Sequence, residues 1–502
     1  MIRTLALPHV LTARLTRRMK KTHVFGVLSL LRRDDGTRSR VRFLYLQSDA
    51  RQLLEDKGLW EATQEVLDLI SNDVRSCQVF NRSDACTITL PGFPNLRHLF
   101  LRSTNHGNFG VNFDLPFLSE SNASLRELEV YGRILPSFGQ KGPLPIFPNL
   151  KRIQYQSCTI DRTVDLSWKE MLAHSAQSVR ILDFSIDRVH EHWKPAIELL
   201  HLFRDSVQEL NIKFRVLTNR FDHVDPLPAL PYLQRLQLWI IDRGGALEAI
   251  PISDIVPYMR QSTQLEDVEV IGSCTFYFPA TQAQAANALP AKVLDFRRGG
   301  PVDHLSFRKL FAPYASLQTL RVHYRLFNRH GTRTGSHAHT ANVLLELASS
   351  QYAPRLHVSL LVSGLAHLTH NMKANENLER MDACAAEVCA TLSSLLHFRS
   401  VFLEADHLYL LDILGKAISS KARPNIKTLD LLCDLDSAAE ASCDVQRVVK
   451  LVLGENLNAM PSLEGLSMYL SGIQYDDEQI YPLQAELASH GIRWTPWTEV
   501  DR

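Results

Sequence analysis

The sequence predicts an α/β solenoid: a curved parallel sheet on the concave side, helices on the convex side, and irregular repeats of about 25 to 32 residues. Three observations carry that prediction. The apolar spacing of Leu96, Leu99 and Leu101 in "FPNLRHLFLRS" recurs about a dozen times along the chain. The segments between copies have helical periodicity. Finally, 502 residues exceed what one compact core organises, although 45% hydrophobic and 22% charged residues are ordinary for a globular protein. An elongated repeat reconciles that length with that composition.

The stretch 1–40 reads as a basic N-terminal segment, with no acidic residue before Asp34. That bias is also found in mitochondrial transit peptides, but Pro8 interrupts the helix such peptides form and serine is sparse. The expectation is a basic, partly helical leader. From 41 to 502 the chain reads as one solenoid. Its first copies are "VRFLYLQS" from Val41 and, more weakly, "VRSCQVF" near Val74. From Leu96 the pattern restarts at Leu125, Leu150, Val179, Val207, Leu233 and Leu265, at uneven intervals. Later copies contain Leu294, Leu317, Phe398, Ile426 and Leu463.

In each copy the last two apolar residues are two apart and share one face of a short strand. Leu99 with Leu101, Leu128 with Val130, Leu182 with Phe184 and Leu210 with Ile212 are examples. No single unit can bury that face, so stacked neighbours must do it. Helices are expected at "GLWEATQEVLDLI", "KPAIELLHLF", "VDHLSFRKLF", Ala374 to Leu396, "DHLYLLDILGKAI" and the segment after Ala438. Proline-rich turns such as "LPGFPN", "GPLPIFPN" and "DPLPALPY" precede copies and set extended entries into the strands.

The L-x-x-L-x-L copies resemble leucine-rich repeats of the ribonuclease-inhibitor-like type. The irregular repeat lengths and the terminal "LASHGIRWTPW" resemble the repeat halves of fungal F-box-like proteins. The family usually has Asn or Cys eight residues after the first leucine. Here only Cys158 falls there, while Thr104, Arg133, Asp187, Arg215 and Ile241 take the equivalent places, which predicts irregular turns after the strands. The resemblance implies a substrate-recognition protein of a cullin–RING ubiquitin ligase, reached through the Skp-type adaptor. "LALPHVLTARLTRRM" has the Leu-Pro of an F-box, yet it is basic where the family is acidic, and no Trp precedes Trp60. The segment 1–40 thus reads as a degenerate or truncated F-box. The alternative is a leucine-rich-repeat scaffold or regulator that binds one protein partner and has no ubiquitin link.

Residues alternating with the core leucines should face solvent and bind that partner. By register these are Phe100, Arg102, Glu129, Tyr131, Gln156, Lys213, Trp239, Arg321 and His323, accompanied by Gln154, Asp183, Asn211, Gln237 and Glu269. Phe100, Tyr131 and Trp239 beside arginines have the composition of interaction hot spots.

Lys plus Arg is 55 against 54 for Asp plus Glu, so no overall field draws the chain to nucleic acid or an anionic membrane. The absence of a long apolar run or a secretory h-region predicts a cytoplasmic or nuclear protein, with mitochondrial targeting as the alternative. The eight cysteines form no C-x-x-C pair. Histidines in "RHGTRTGSHAHT", "VHEHW" and "HLTH" lack partners at a recognised ligand spacing, and the first of these reads as a surface insertion. No nucleotide-binding, hydrolase, zincin or kinase signature occurs. No metal, cofactor or enzymatic activity is therefore expected.

Overall fold

The computed structural model describes residues 11–15, 21–33, 41–48, 57–81, 91–103, 111–114, 123–131, 134–137, 146–157, 172–186, 197–198, 200–216, 228–242, 249–251, 262–272, 275–277, 291–296, 307–308, 311–312, 314–326, 336–363, 374–406, 408–420, 424–433, 449, 461–470 and 477–496. The chain forms two compact units, Met1–Ala246 with Pro257–Gln264, and Leu247–Val256 with Leu265–Arg502. Both are built as α/β repeat solenoids.

Nine strands of the first unit pair in parallel, each with the next: β1 (Leu11–Leu15), β2 (Val41–Ser48), β3 (Ser76–Asn81), β4 (His98–Ser103), β6 (Glu127–Tyr131), β8 (Arg152–Ser157), β9 (Ile181–Ile186), β10 (Glu209–Val216) and β11 (Arg235–Asp242). Two short strands, β5 (Val111–Asp114) and β7 (Ile134–Ser137), make a separate parallel pair. Helices α1 (Lys21–Arg33) and α2 (Lys57–Ile70) pack together, and the Arg32 guanidinium donates to both carboxylate oxygens of Glu65.

The second unit repeats the plan with eight parallel strands: β13 (Asp267–Gly272), β15 (Val293–Phe296), β16 (Thr319–Arg325), β17 (His357–Ser363), β18 (Ser400–Ala405), β19 (Thr428–Cys433), β20 (Gly465–Leu470) and β21 (Arg493–Pro496). Its accessory pair is β12 (Ala249–Pro251) with β14 (Thr275–Tyr277). Helices α3 (Ser336–Ala348), α4 (Ala374–Leu395), α5 (Leu408–Ser420) and α6 (Asp477–Ser489) lie between its strands in sequence. No helix among the described residues is long and apolar enough to cross a membrane.

Register explains the core. In the first unit Cys77, Leu99, Leu128, Ile153, Leu182, Leu210 and Leu236 pair from strand to strand, and all are at most 4% exposed. The second unit does the same with Val268, Leu294, Leu320, Val358, Val401, Leu429 and Leu466. The expected helical face of α2 is also present: Thr63, Val66, Leu67 and Ile70 are buried, and Thr63 donates its hydroxyl to the Leu59 carbonyl at 2.7 Å. Cys77 lies so deep that burial pushes its thiol up to about 12, leaving it an inert packing group.

The repeats are joined at the strand entry by a ladder whose rungs are shared carbonyls. Arg75 O accepts from the N–H groups of Arg97 and His98, Arg97 O from Arg126 and Glu127, and Arg126 O from Lys151 and Arg152. Side chains add a second set of rungs at the residue just before the first apolar position. Asn95 Nδ2 donates to Asn72 O at 2.8 Å, Ser124 Oγ to Leu96 O at 2.7 Å, Asn149 Nδ2 to Ala123 O at 2.6 Å and Ser206 Oγ to Ala176 O at 2.6 Å. Of the positions where the family has Asn or Cys only Cys158 keeps one, and Arg215 and Ile241 lie inside β10 and β11 rather than in turns after them; polar side chains tie the repeats together before the strand instead.

Two sequence expectations are corrected. The repeat is already running at Leu11, because β1 pairs with β2 upstream of Val41. The "GSHAHT" segment is not a surface insertion throughout. Ser336 opens α3, and His337 is 6% exposed, edge-on to Tyr324 with ring centroids 6.0 Å apart and Nε2 2.9 Å from Glu387. The turn in "LASHGIRW" is a helix cap: Ile492 N–H reaches Leu487 O and Gly491 N–H reaches Ala488 O, both at 2.9 Å, with Gly491 at φ +76°. That paired geometry needs a left-handed residue, which glycine supplies without strain.

Candidate partner-binding face

Side chains that alternate with the core columns form the outward face of each sheet. On the first unit, pairing places Phe80, Arg102 and Tyr131 directly opposite one another on β3, β4 and β6. The Arg102 guanidinium lies 5.6 Å from the Phe80 ring centroid and 4.6 Å from that of Tyr131. Phe80 also touches Tyr45 at 4.8 Å and Phe100 at 5.5 Å between ring centroids. Five half-buried residues thus make one aromatic patch with a cation clamped inside it. Phe43, 45% exposed on β2, extends its apolar surface.

Further along the same face a cleft of about 220 Å³ is lined by Arg152, Asp183, Asn211, Lys213 and Trp239, among others. Asp183 is nearly buried and fully engaged: Arg152 Nε donates to its Oδ2 at 2.7 Å and Asn211 Nδ2 to its Oδ1. Lys213 Nζ stands 5.3 Å from the Trp239 ring centroid on the adjacent strand. Glu129, between the patch and the cleft, has its carboxyl pushed above the usual range by burial, with Arg152 opposing the shift.

On the second unit the outward residues Arg321 and His323 both lie on β16. Arg321 Nη1 is 3.2 Å from Asp295 Oδ2, a carboxylate almost wholly buried. His323 Nε2 lies 2.6 Å from Ser363 Oγ, and burial, helped by the Arg325 charge, pushes its ring down to about 4. It is therefore a neutral imidazole at pH 7. His357, on the adjacent strand, is pushed down by burial and by Arg321, and its Nδ1 lies 2.8 Å from Ser400 Oγ.

The structure thus brings Phe100, Arg102 and Tyr131 together, and Lys213 with Trp239, while Glu129 stands between the two groups. Arg321 and His323 belong to the other unit. Gln156 holds its place in β8 by backbone register only, its side chain lying outside the described residues. His190, His192, His330, His367 and His370 also lie outside them. Tyr45, Phe80 and Arg152 belong to the face but were not singled out by sequence. The signal for the first two was present in "VRFLYLQS" and "VRSCQVF", where counting outward from the core positions selects them. Among the described residues no group of three or more His, Cys, Asp or Glu side chains gathers as metal ligands would. No known family's sequence model matches this chain, and no curated protein matches it as a relative.

Proposed function

We propose that the chain is a non-enzymatic protein-recognition scaffold of the leucine-rich-repeat type, binding its partner on the outward face of the first unit. The observation that carries this reading is the Tyr45, Phe80, Phe100, Arg102 and Tyr131 patch, which spans four consecutive strands. Aromatic rings on a rigid sheet lose little conformational freedom on binding, and a guanidinium stacked between them offers hydrogen bonds at its edge. The neighbouring Lys213–Trp239 pair supplies a second anchor of the same composition.

The finer reading is an F-box-like receptor that presents a bound protein to a cullin–RING ubiquitin ligase. It is supported by the Leu-Pro near the N-terminus and the C-terminal "LASHGIRWTPW". The second reading, a scaffold with no ubiquitin link, is favoured by β1 and α1, which are integrated into the first unit's sheet and helix layer. Co-purification of the full chain with the Skp-type adaptor separates the two. Retention supports the receptor; its failure, with partner capture intact, leaves the scaffold. Loss of a crosslinked partner on Phe80→Ala with Tyr131→Ala, with only a small fall in melting temperature, is the expected result for the face itself. A partner retained undiminished by that variant would remove this face from the proposal.

A further inference from the structure

At the strand-entry end of the first unit, away from the aromatic patch, lies a pocket of about 420 Å³ whose lining is predominantly polar. Four arginines contribute to it, Arg42, Arg75, Arg97 and Arg126, one from each of four successive repeats. They occupy one position in the repeat, immediately after the first apolar residue. The shared-carbonyl ladder fixes their backbones, since Arg75 O and Arg97 O each accept two N–H groups from the next repeat. Parallel strands stack about 4.8 Å apart, so the arginines rise from a row of evenly spaced anchor points.

The charges do not cancel. Asp73 is the pocket's one carboxylate, and it is held by Arg42, with Nη1 3.0 Å from both its Oδ1 and its backbone oxygen. Among the described residues no carboxylate pairs with Arg75, Arg97 or Arg126. Asn95 and Asn149 each commit one amide N–H to the preceding repeat, which orients the amide and leaves its second N–H and its oxygen available. A row of like charges at strand spacing repels itself, and the repulsion is relieved by an anion lying across the row. Guanidinium groups bind phosphate oxygens through paired, charge-assisted hydrogen bonds. The volume lies in the range of small-molecule sites, roughly 300 to 1,000 Å³.

We propose that this pocket is an anion site for a small soluble ligand carrying two or three adjacent phosphate groups, each facing a different arginine of the row. A lone phosphate spans only one or two of the anchors and binds more weakly. The site does not depend on the partner-binding face.

Isothermal titration of the full chain with inorganic tripolyphosphate, at low ionic strength and again at about 0.15 M, tests the assignment. Expected are saturable binding at one site, weaker binding of orthophosphate, and a loss of about tenfold or more in affinity for the Arg97→Gln, Arg126→Gln double variant. Trp239→Ala should bind tripolyphosphate as the unaltered chain does. Should the double variant melt early, hydrogen exchange on the unaltered chain replaces it, with slowed exchange on tripolyphosphate addition expected at residues 72–75, 95–97 and 123–126. Absence of saturable binding, equal affinity in a folded double variant, or unchanged exchange would overturn the proposal. So would a single-stranded oligonucleotide that binds more tightly than tripolyphosphate, displaces it and loses its affinity in the same double variant, because that assigns the arginine row to nucleic acid.

Discussion

Leu182 has its side chain wholly buried between Ile153 and Leu210, the paired positions on either side. Truncation to Ala leaves a cavity that parallel neighbours on both flanks hold open, and should lower unfolding free energy by roughly 2 to 5 kcal/mol in urea denaturation. Trp239 and Tyr131 are only half-buried, and they contact Lys213 and Arg102 through their ring faces. The Trp239→Ala, Tyr131→Ala double variant should lose about 1 kcal/mol per cation–π contact or less while partner recovery falls sharply; a collapsed melt would make the rings part of the core. His323 contributes a pH dependence of definite sign. Its folded ring titrates near 4, below the ordinary histidine value, so the unfolded chain binds the extra proton first on acidification. Its contribution is complete above about pH 6.5 and is lost as pH falls towards 4, by about 1 to 3 kcal/mol after allowing for solvent screening. His323→Gln should flatten the denaturation midpoint between those values, and an unchanged slope would show that the ring is not held neutral.

Among elements, the strand-entry turn has the most individual construction. Ser206 is buried and donates to Ala176 O across the repeat boundary and to Phe203 O within its own turn. Ser206→Ala strands an acceptor and should cost about 1 to 2 kcal/mol, whereas the exposed Asn149→Ala should cost about 1 kcal/mol or less, since water replaces its amide. Thermal melts of the two variants compare these directly. At the end of the second unit β21 finishes with Pro496, a residue without an N–H to offer a further strand. Another local demand falls on Tyr314, which takes φ +65° so that its ring stacks 5.8 Å from Phe307 while its hydroxyl donates to Glu346 at 2.6 Å. The strain of a left-handed tyrosine is offset by burial and by that hydrogen bond; burial, followed by the hydrogen bond, raises the phenol's pKa.

At the scale of the whole molecule, stability in a stacked repeat is carried by interfaces between neighbours. Leu182 and Leu360 lie in different units and share no strand partner. Their Ala variants should therefore be additive to within about 0.5 kcal/mol in a double-mutant cycle. A larger coupling would mean that the two units unfold as one body. The same separation applies to binding. The aromatic patch and the arginine pocket belong to one unit but use different surfaces, so each can be removed by substitution without removing the other.

Sequence alone determined the repeat, the core columns and the outward columns, because alternation along each strand and the return of the same apolar spacing in every copy are local regularities. It therefore selected Phe100, Arg102, Tyr131, Lys213 and Trp239 as members of one face. Which of them touch was decided by the tertiary structure, since strand register sets whether Arg102 meets Phe80 and Tyr131 or other neighbours. Tertiary packing also buried His337, gave His323 its hydroxyl partner, and gathered Arg42, Arg75, Arg97 and Arg126 from four separate repeats into one pocket. Side chains so far apart in sequence leave no local pattern of contact, and only the stacking of parallel strands brings them within reach of a common ligand.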